Sequence, residues 1–175
     1  EKGFEVIYLT DTVDEWVMNA LREYKEKPLQ SIAKEDLDLD SETEKKAKEE
    51  DLQSQQKKFK GLTTQLQKAL DEFIKEVKIS DRLVDSPVCL VSGTNDPSAH
   101  MEKILGAMGQ DTPKTKRILE INPQHPIFDK MLDMGDDRRN SWAEILYNQA
   151  LLNEGSPIKD PVRFSKHISE LMIEA

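Results

Sequence analysis

The stretch Asn140–Ala175 constrains the chain most, because its apolar residues exceed what two helices can cover for each other. It reads as a helical hairpin, Ser141–Asn153 and Asp160–Glu174. Ser141 with Glu144 three residues on has the pattern of a capping box. Gly155 stands where a helix-ending residue of positive φ is expected. Asp160-Pro161 supplies an N-cap and a first-turn proline. The first helix carries Trp142, Ala143, Ile145, Leu146, Tyr147, Ala150, Leu151 and Leu152, far more than the single apolar stripe of a surface helix. The second carries one stripe, Phe164, Ile168, Leu171 and Met172. Cover must come from the preceding domain or from a second copy of the hairpin, which would build a four-helix bundle across a two-fold axis.

Upstream of the hairpin the pattern changes several times. Phe4–Thr10 is apolar and β-favouring, so a buried strand is expected. Thr12 with Glu15 suggests a capping box for a helix to about Tyr24, and Pro28 ends any continuation. Leu29–Ala33 reads as a second strand. Strand, helix and strand in that order predict a βαβ unit with a parallel pair. It is too small to be a domain and reads as the end of a larger α/β domain, so the sequence is taken as a piece of a longer chain. Glu35–Asp51 then holds nine acids and three lysines, a net of −6 within the chain's −9. Such a run predicts a solvated linker or an exposed helix start.

Apolar periodicity returns at Phe59, Leu62, Leu66, Leu70, Phe73 and Val77. Spacings of 3, 4, 4, 3 and 4 predict one long amphipathic helix. Short strands are expected at Val77–Leu83, Val88–Ser92 and Lys116–Ile121. Asp96-Pro97 should start a helix ending near Gly109, Asn122-Pro123 one reaching about Asp133, and Gly135-Asp136-Asp137 should break the chain before the hairpin. Residues 36–175 are therefore an α+β unit of a long helix, a small sheet, short helices and the hairpin.

Charge and residue chemistry exclude several functions. A net charge of −9 repels phosphates, which argues against nucleic acid and anionic membranes as partners. No apolar run is long enough to span a bilayer. A single cysteine, Cys89, excludes an internal disulfide framework and fits a reducing, cytoplasmic setting. His100, His125 and His167 are isolated from one another and from Cys89, so no metal spacing exists. No glycine-rich phosphate loop or nucleophile elbow appears. These residues give no catalytic site, no metal and no cofactor. Two features remain for binding. Met101, Ile104, Leu105 and Met108 form a stripe that is either ordinary core or an adaptable sticky surface, behind a loop of mobile composition, Ser92-Gly93-Thr94-Asn95. Trp16 with Asn19 sits on a helix where a large side chain can line a cleft.

Taken together, several segments resemble the ninety-kilodalton heat-shock chaperones, in their bacterial form. FEVIYLTDTVDEWVMNAL with KPLQSIAK is similar to the end of their middle domain. DRLVDSPVCLV, MEKILGAMGQ, KRILEINPQHPIF and WAEILYNQALLNEGSPIKDPVRFSKHISELM are similar to their C-terminal dimerization domain. The resemblance implies a boundary near residue 35, with 1–35 closing the middle domain and 36–175 forming the dimerizer. It implies a homodimer through a four-helix bundle, carried here by Trp142, Ile145, Leu146, Gln149, Leu152, Phe164, Ile168, Leu171 and Met172. It implies contact with unfolded or partly folded client proteins at Glu15, Trp16, Asn19, Met101, Ile104, Leu105 and Met108, and other chaperones as further partners. ATP and Mg would bind an N-terminal domain of the parent, so no ATP hydrolysis is expected of these residues. The ending LMIEA differs from the Glu-Glu-Val-Asp tail of eukaryotic cytosolic members, which argues against docking of tetratricopeptide-repeat co-chaperones. The competing expectation is a structural scaffold that dimerizes and binds no client; buried methionines at 101 and 108 would favour it.

Overall fold

The structure, a computed structural model, describes residues 4–35, 42–110 and 115–174. It is an α+β arrangement. Helix α1 is Thr12–Ala20, followed by a tiny hairpin of β1 (Glu23–Tyr24) and β2 (Lys27–Pro28). The long helix α2 spans Glu42–Ala69; β3 is Ile74–Ile79, β4 Val88–Val91, α3 Ala99–Ala107 and β5 Arg117–Ile121. Helices α4 (Pro126–Leu132), α5 (Asp136–Glu154) and α6 (Pro161–Glu174) complete the chain.

The sheet has the order β3-β5-β4, with β5 parallel to β3 and antiparallel to β4. Every residue of the central strand β5 is buried. One face of α2 presents Phe59, Leu62 and Leu66 to this sheet, with Leu70 in the turn that follows, and α5 presents Ala143, Leu146 and Ala150. Phe128 of α4 closes the core, its ring edge-on to Phe59 with centroids 6.5 Å apart. The i, i+3, i+4 spacing of α2 is thus spent on a sheet whose core-facing residues are Val, Ile and Leu.

Several expectations are corrected. Phe4–Thr10 forms no strand, and its apolar side chains are exposed. Leu29–Ala33 forms none either. The βαβ unit is therefore absent from the described residues: β-favouring composition makes a strand only where a neighbouring strand takes its hydrogen bonds. The hairpin that does form turns on Lys25 and Glu26, both at positive φ (49° and 62°), a geometry usually left to Asn or Gly. The long helix ends at Ala69, and Val77, assigned to it by spacing, lies in β3. Helix α5 begins at Asp136, so Gly135-Asp136-Asp137 starts the helix and does not separate it from the hairpin. Asp136 and Asp137 sit in its first turn, where acids suit the helix dipole. Ser141 consequently lies inside the helix and donates to the Asp137 carbonyl, with no capping box to Glu144. Of the acidic run, Glu35 lies in a turn ahead of α2, residues 36–41 lie outside the described residues, and Glu42–Asp51 belongs to α2.

Two boundaries of the hairpin follow the local signals, while the N-caps of α1, α3 and α4 lie one to three residues from the expected Thr12, Asp96-Pro97 and Asn122-Pro123. Gly155 ends α5 at φ 74°, where only a glycine avoids strain. Asp160 accepts from the Arg163 amide at 2.9 Å and caps α6. The α1 cap is Asp11, one residue ahead of Thr12, with the Asp14 carboxylate accepting the Asp11 amide at 3.0 Å. The α3 cap is Ser98, which accepts the Met101 amide at 3.0 Å. His125 starts α4, accepting from the Ile127 amide.

Candidate functional site

Two features far apart in sequence meet in space. Helix α1 lies beside α3, and Val13, Trp16, Ile104, Ala107 and Met108 line one open apolar groove of about 360 Å³. At its end the Ser98 hydroxyl donates to the Glu15 carboxylate at 2.7 Å, so the residue capping α3 also ties it to α1. Trp16 is 46% exposed and Met108 62% exposed, while Ile104 is buried as the groove's floor. Met101 and Leu105 are half-buried and lie outside the lining. Asn19 is exposed, its amide spent on the Glu15 carbonyl at 2.7 Å. Of the seven residues expected to touch clients, Trp16, Ile104 and Met108 line the groove and Glu15 stands at its end. Val13 and Ala107 also line it; Val13 shares α1's apolar face with Trp16, three residues on.

Helix α3 is held from below by Arg117 of β5. Its guanidinium makes a forked contact with Glu102, at 2.8 and 3.1 Å, and reaches Glu154 at the end of α5 at 3.4 Å. Burial would push the Glu102 carboxyl up, but the hydrogen bonds from Arg117 and the Thr115 amide outweigh it and hold the group below the usual carboxylate range. Lys103 adds a bond to the Gly155 carbonyl at 2.6 Å. The groove helix is thereby fixed to the C-terminal end of α5.

The loop Ser92–Asn95 ahead of α3, mobile by composition, is likewise held. The Glu35 carboxylate accepts from the Thr94 amide at 3.1 Å, and Lys34 Nζ donates to the carbonyls of Gly93 and Asp96. Cys89 lies near Glu120, its Sγ 3.6 Å from the carboxylate. Burial and the Glu120 charge push that thiol up to about 12, which makes it unreactive at neutral pH.

The second candidate surface is on α5 and α6. Leu146 is only 2% exposed and belongs to the protomer's own core with Ala143 and Ala150. It is therefore not available to a second copy. Trp142 is partly buried against the same core, and its indole N–H is buried without a hydrogen-bond partner. On the flank of α5, Arg138, Trp142, Ile145, Gln149 and Leu152 recur at spacings of 4, 3, 4 and 3, the rhythm of a coiled-coil seam. Gln149 and Leu152 are exposed and Ile145 half-exposed. Helix α6 lies along α5, joined by Arg163 to Glu144 at 2.5 Å, and its Phe164, Ile168 and Leu171 are half-buried. Val162, Met172 and Ile173 stand open, Ile173 at 86%.

Comparison with known proteins gives matches over the whole chain. The family model described as Hsp90 protein matches residues 1–175. A protein named Chaperone protein HtpG from Bdellovibrio bacteriovorus is 50% identical over all of this chain and 28% of its own length. Proteins of the same name from Geobacter sulfurreducens and Bordetella avium are 44% and 45% identical over 99% of this chain, which covers 27% and 28% of them. The chain thus spans little more than a quarter of the length of the curated relatives it matches.

Proposed function

The chain belongs to the Hsp90 family, and from that premise we propose that it is the dimer-forming and client-contacting portion of a heat-shock chaperone, with a boundary near residue 35. The observation that carries this reading is the convergence of Trp16, Ile104 and Met108 on one solvent-open apolar groove. Nothing in the groove has the convergent polar groups of a small-molecule pocket. A flexible methionine and a half-open tryptophan suit weak contact with many apolar sequences. The competing scaffold reading needs Met101 and Met108 buried; Met108 is open and Met101 half-open.

A second copy of the chain would cover the α5 flank and the open residues of α6, completing a four-helix bundle. This interface uses Trp142, Ile145, Gln149, Leu152 and Met172, with Phe164, Ile168 and Leu171 supporting it from inside the hairpin, and it omits Leu146. A permanent dimer holds two grooves at high local concentration. In the cytoplasmic parent, ATP and Mg would act in a separate N-terminal domain and change how the grooves are presented.

Two measurements test the reading. Sedimentation at micromolar concentration should give a dimer, and Ile145→Asp with Leu152→Asp should give a folded monomer. A wild-type monomer, or a dimer that survives both charges, removes the bundle. Suppression of aggregation of an unfolded client should fall with Trp16→Ser and Met108→Asp while the dimer persists. Unchanged suppression would leave the scaffold reading.

A further inference from the structure

The connection between α1 and the rest of the fold is built as a fastening. Just beyond the end of β4, Lys34 pairs with Ser92 as an isolated parallel bridge. The Ser92 amide donates to the Ala33 carbonyl at 2.9 Å, and the Glu35 amide donates to the Ser92 carbonyl at 3.1 Å. Side chains close over this bridge from both sides. Arg82 Nη1 donates to the carbonyls of Ile32 at 3.0 Å and Lys34 at 3.3 Å, and Arg82 is itself anchored on the buried Glu120 at 2.8 Å. Glu35 accepts from Lys78 Nζ at 2.5 Å and from the Thr94 amide. Lys34 reaches the carbonyls of Gly93 and Asp96. Gly93 is the close-approach position: a Cβ there would meet Asp96 Oδ2 at 2.6 Å and Glu35 Oε1 at 3.3 Å. Any side chain at 93 would push Glu35 or Asp96 aside.

We propose that the segment Ile32–Glu35 is a strap, and that its polar clasp onto the end of β4 holds α1 against α3 and so sets the width of the groove between them. The chain leads from the clasp back through the β1–β2 hairpin to α1, and forward from β4 through the Gly93 loop to Ser98. Both walls of the groove therefore hang from the same fastening. Against it, among the described residues α1 contributes only the Ser98 to Glu15 hydrogen bond and the half-exposed side chains of the groove itself. The fastening is made of hydrogen bonds and two ion pairs, Lys78 with Glu35 partly exposed and Arg82 with Glu120 largely buried; at the partly exposed end water can replace the bonds at little cost. An apolar seam would not release so readily. Unclasped, α1 swings free and the groove loses a wall, while the core beneath β5 is untouched.

The test places nitroxide labels on Ala20→Cys and Gly106→Cys, the second chosen because a Cβ at Gly106 meets nothing within 4 Å. Cys89 stays unlabelled, with its thiol half-buried and its pKa near 12. Label-to-label distances are read by pulsed electron resonance in full chain diluted with unlabelled chain. The unaltered clasp should give one narrow distance peak. Lys34→Met with Glu35→Gln should turn it into a broad distribution reaching longer distances, and Gly93→Ala should do the same from the opposite side of the clasp. Circular dichroism should show the same thermal transition for the core in all of them. Should the double variant fail to fold, Glu35→Gln alone carries the test. An unchanged narrow peak in the folded clasp variants overturns the strap. No client enters this readout, so its failure leaves the chaperone reading standing, and loss of client holding leaves the strap standing.

Discussion

From α2 onward the chain hides Phe59, Leu66, Ile74, Ile118 and Phe128 almost completely, while ahead of Lys34 it leaves Phe4, Val6, Ile7 and Tyr8 more than half open. The two regions have similar kinds of residue and opposite fates. In the first, apolar spacing on α2 and α5 finds a sheet to close on, and burial supplies the stability. In the second, the β-favouring run finds no strand, and what fixes α1 and the segment after it is a set of named hydrogen bonds. The difference shows where an apolar face is left open. An apolar face can stay available for another chain only where the protein's own core does not consume it. The Trp16 and Met108 groove lies at the border between the two regimes.

The largest effect should come from the core side. Phe128→Ala removes a fully buried ring packed edge-on to Phe59. It should cost about 3–5 kcal/mol, seen as a lowered urea midpoint with the slope unchanged. A loss under about 1 kcal/mol would mean that this region is held as loosely as the first. Next comes Arg117, where the fold depends on a paired charge. Arg117→Met leaves Glu102 and Glu154 facing each other without their cation and should cost about 2–4 kcal/mol. Arg117→Met with Glu102→Met should recover part of that loss. Full additivity of the two would show that the contact carries no coupling.

The same pair gives a pH signature. The Glu102 carboxyl is held below its ordinary value of 4.5 in the folded chain. A group of this kind binds protons more readily when unfolded. Its contribution is complete above the ordinary carboxylate range and is lost as pH falls toward and through the lowered folded value. Unfolding midpoints measured from pH 6 down to 3 should therefore drop less in the Arg117→Met and Glu102→Met double variant than in the parent. Equal slopes would put the acid sensitivity elsewhere.

The contrast also explains what could be read in advance. Regularly spaced large apolar residues were legible: Phe59 to Leu66 marked α2, and Trp142 to Leu152 with Phe164 to Met172 predicted the hairpin. Asp71 and Glu72 carry no Gly or Pro punctuation, so the same spacing ran on to Val77 and missed the turn into β3. The Lys25-Glu26 turn was invisible because neither residue advertises positive φ. Phe4–Thr10 misled for the opposite reason: its strand propensity is real, but pairing is a property of neighbours. Within the candidate site, Trp16 and Met108 could be singled out by type, yet nothing local showed that they share a groove. The clasp was not legible at all. Lys34, Glu35, Lys78, Arg82 and Gly93 are polar or small residues scattered along the chain, and long-range hydrogen bonding leaves no periodic trace. Leu146 shows the reverse error, since apolar pattern alone cannot say whether a helix face meets its own sheet or a second copy.

The smallest effect is the one that divides the regions most sharply. Tyr8 is 84% exposed and Ile7 61% exposed, with no strand pairing for the run they lie in. A surface substitution that removes no packing should change stability by no more than about 0.5 kcal/mol. Tyr8→Ser and Ile7→Thr should therefore leave the urea midpoint of the chain where it was, although both residues look like core in sequence. Side chains of equal size give the control: Ile118 is fully buried at the centre of the sheet, and Ile118→Thr adds a hydroxyl without a partner there, costing about 2–3 kcal/mol. A loss at Ile7 comparable with that at Ile118 would mean that Phe4–Thr10 packs against something in solution, and the run would then belong with the core.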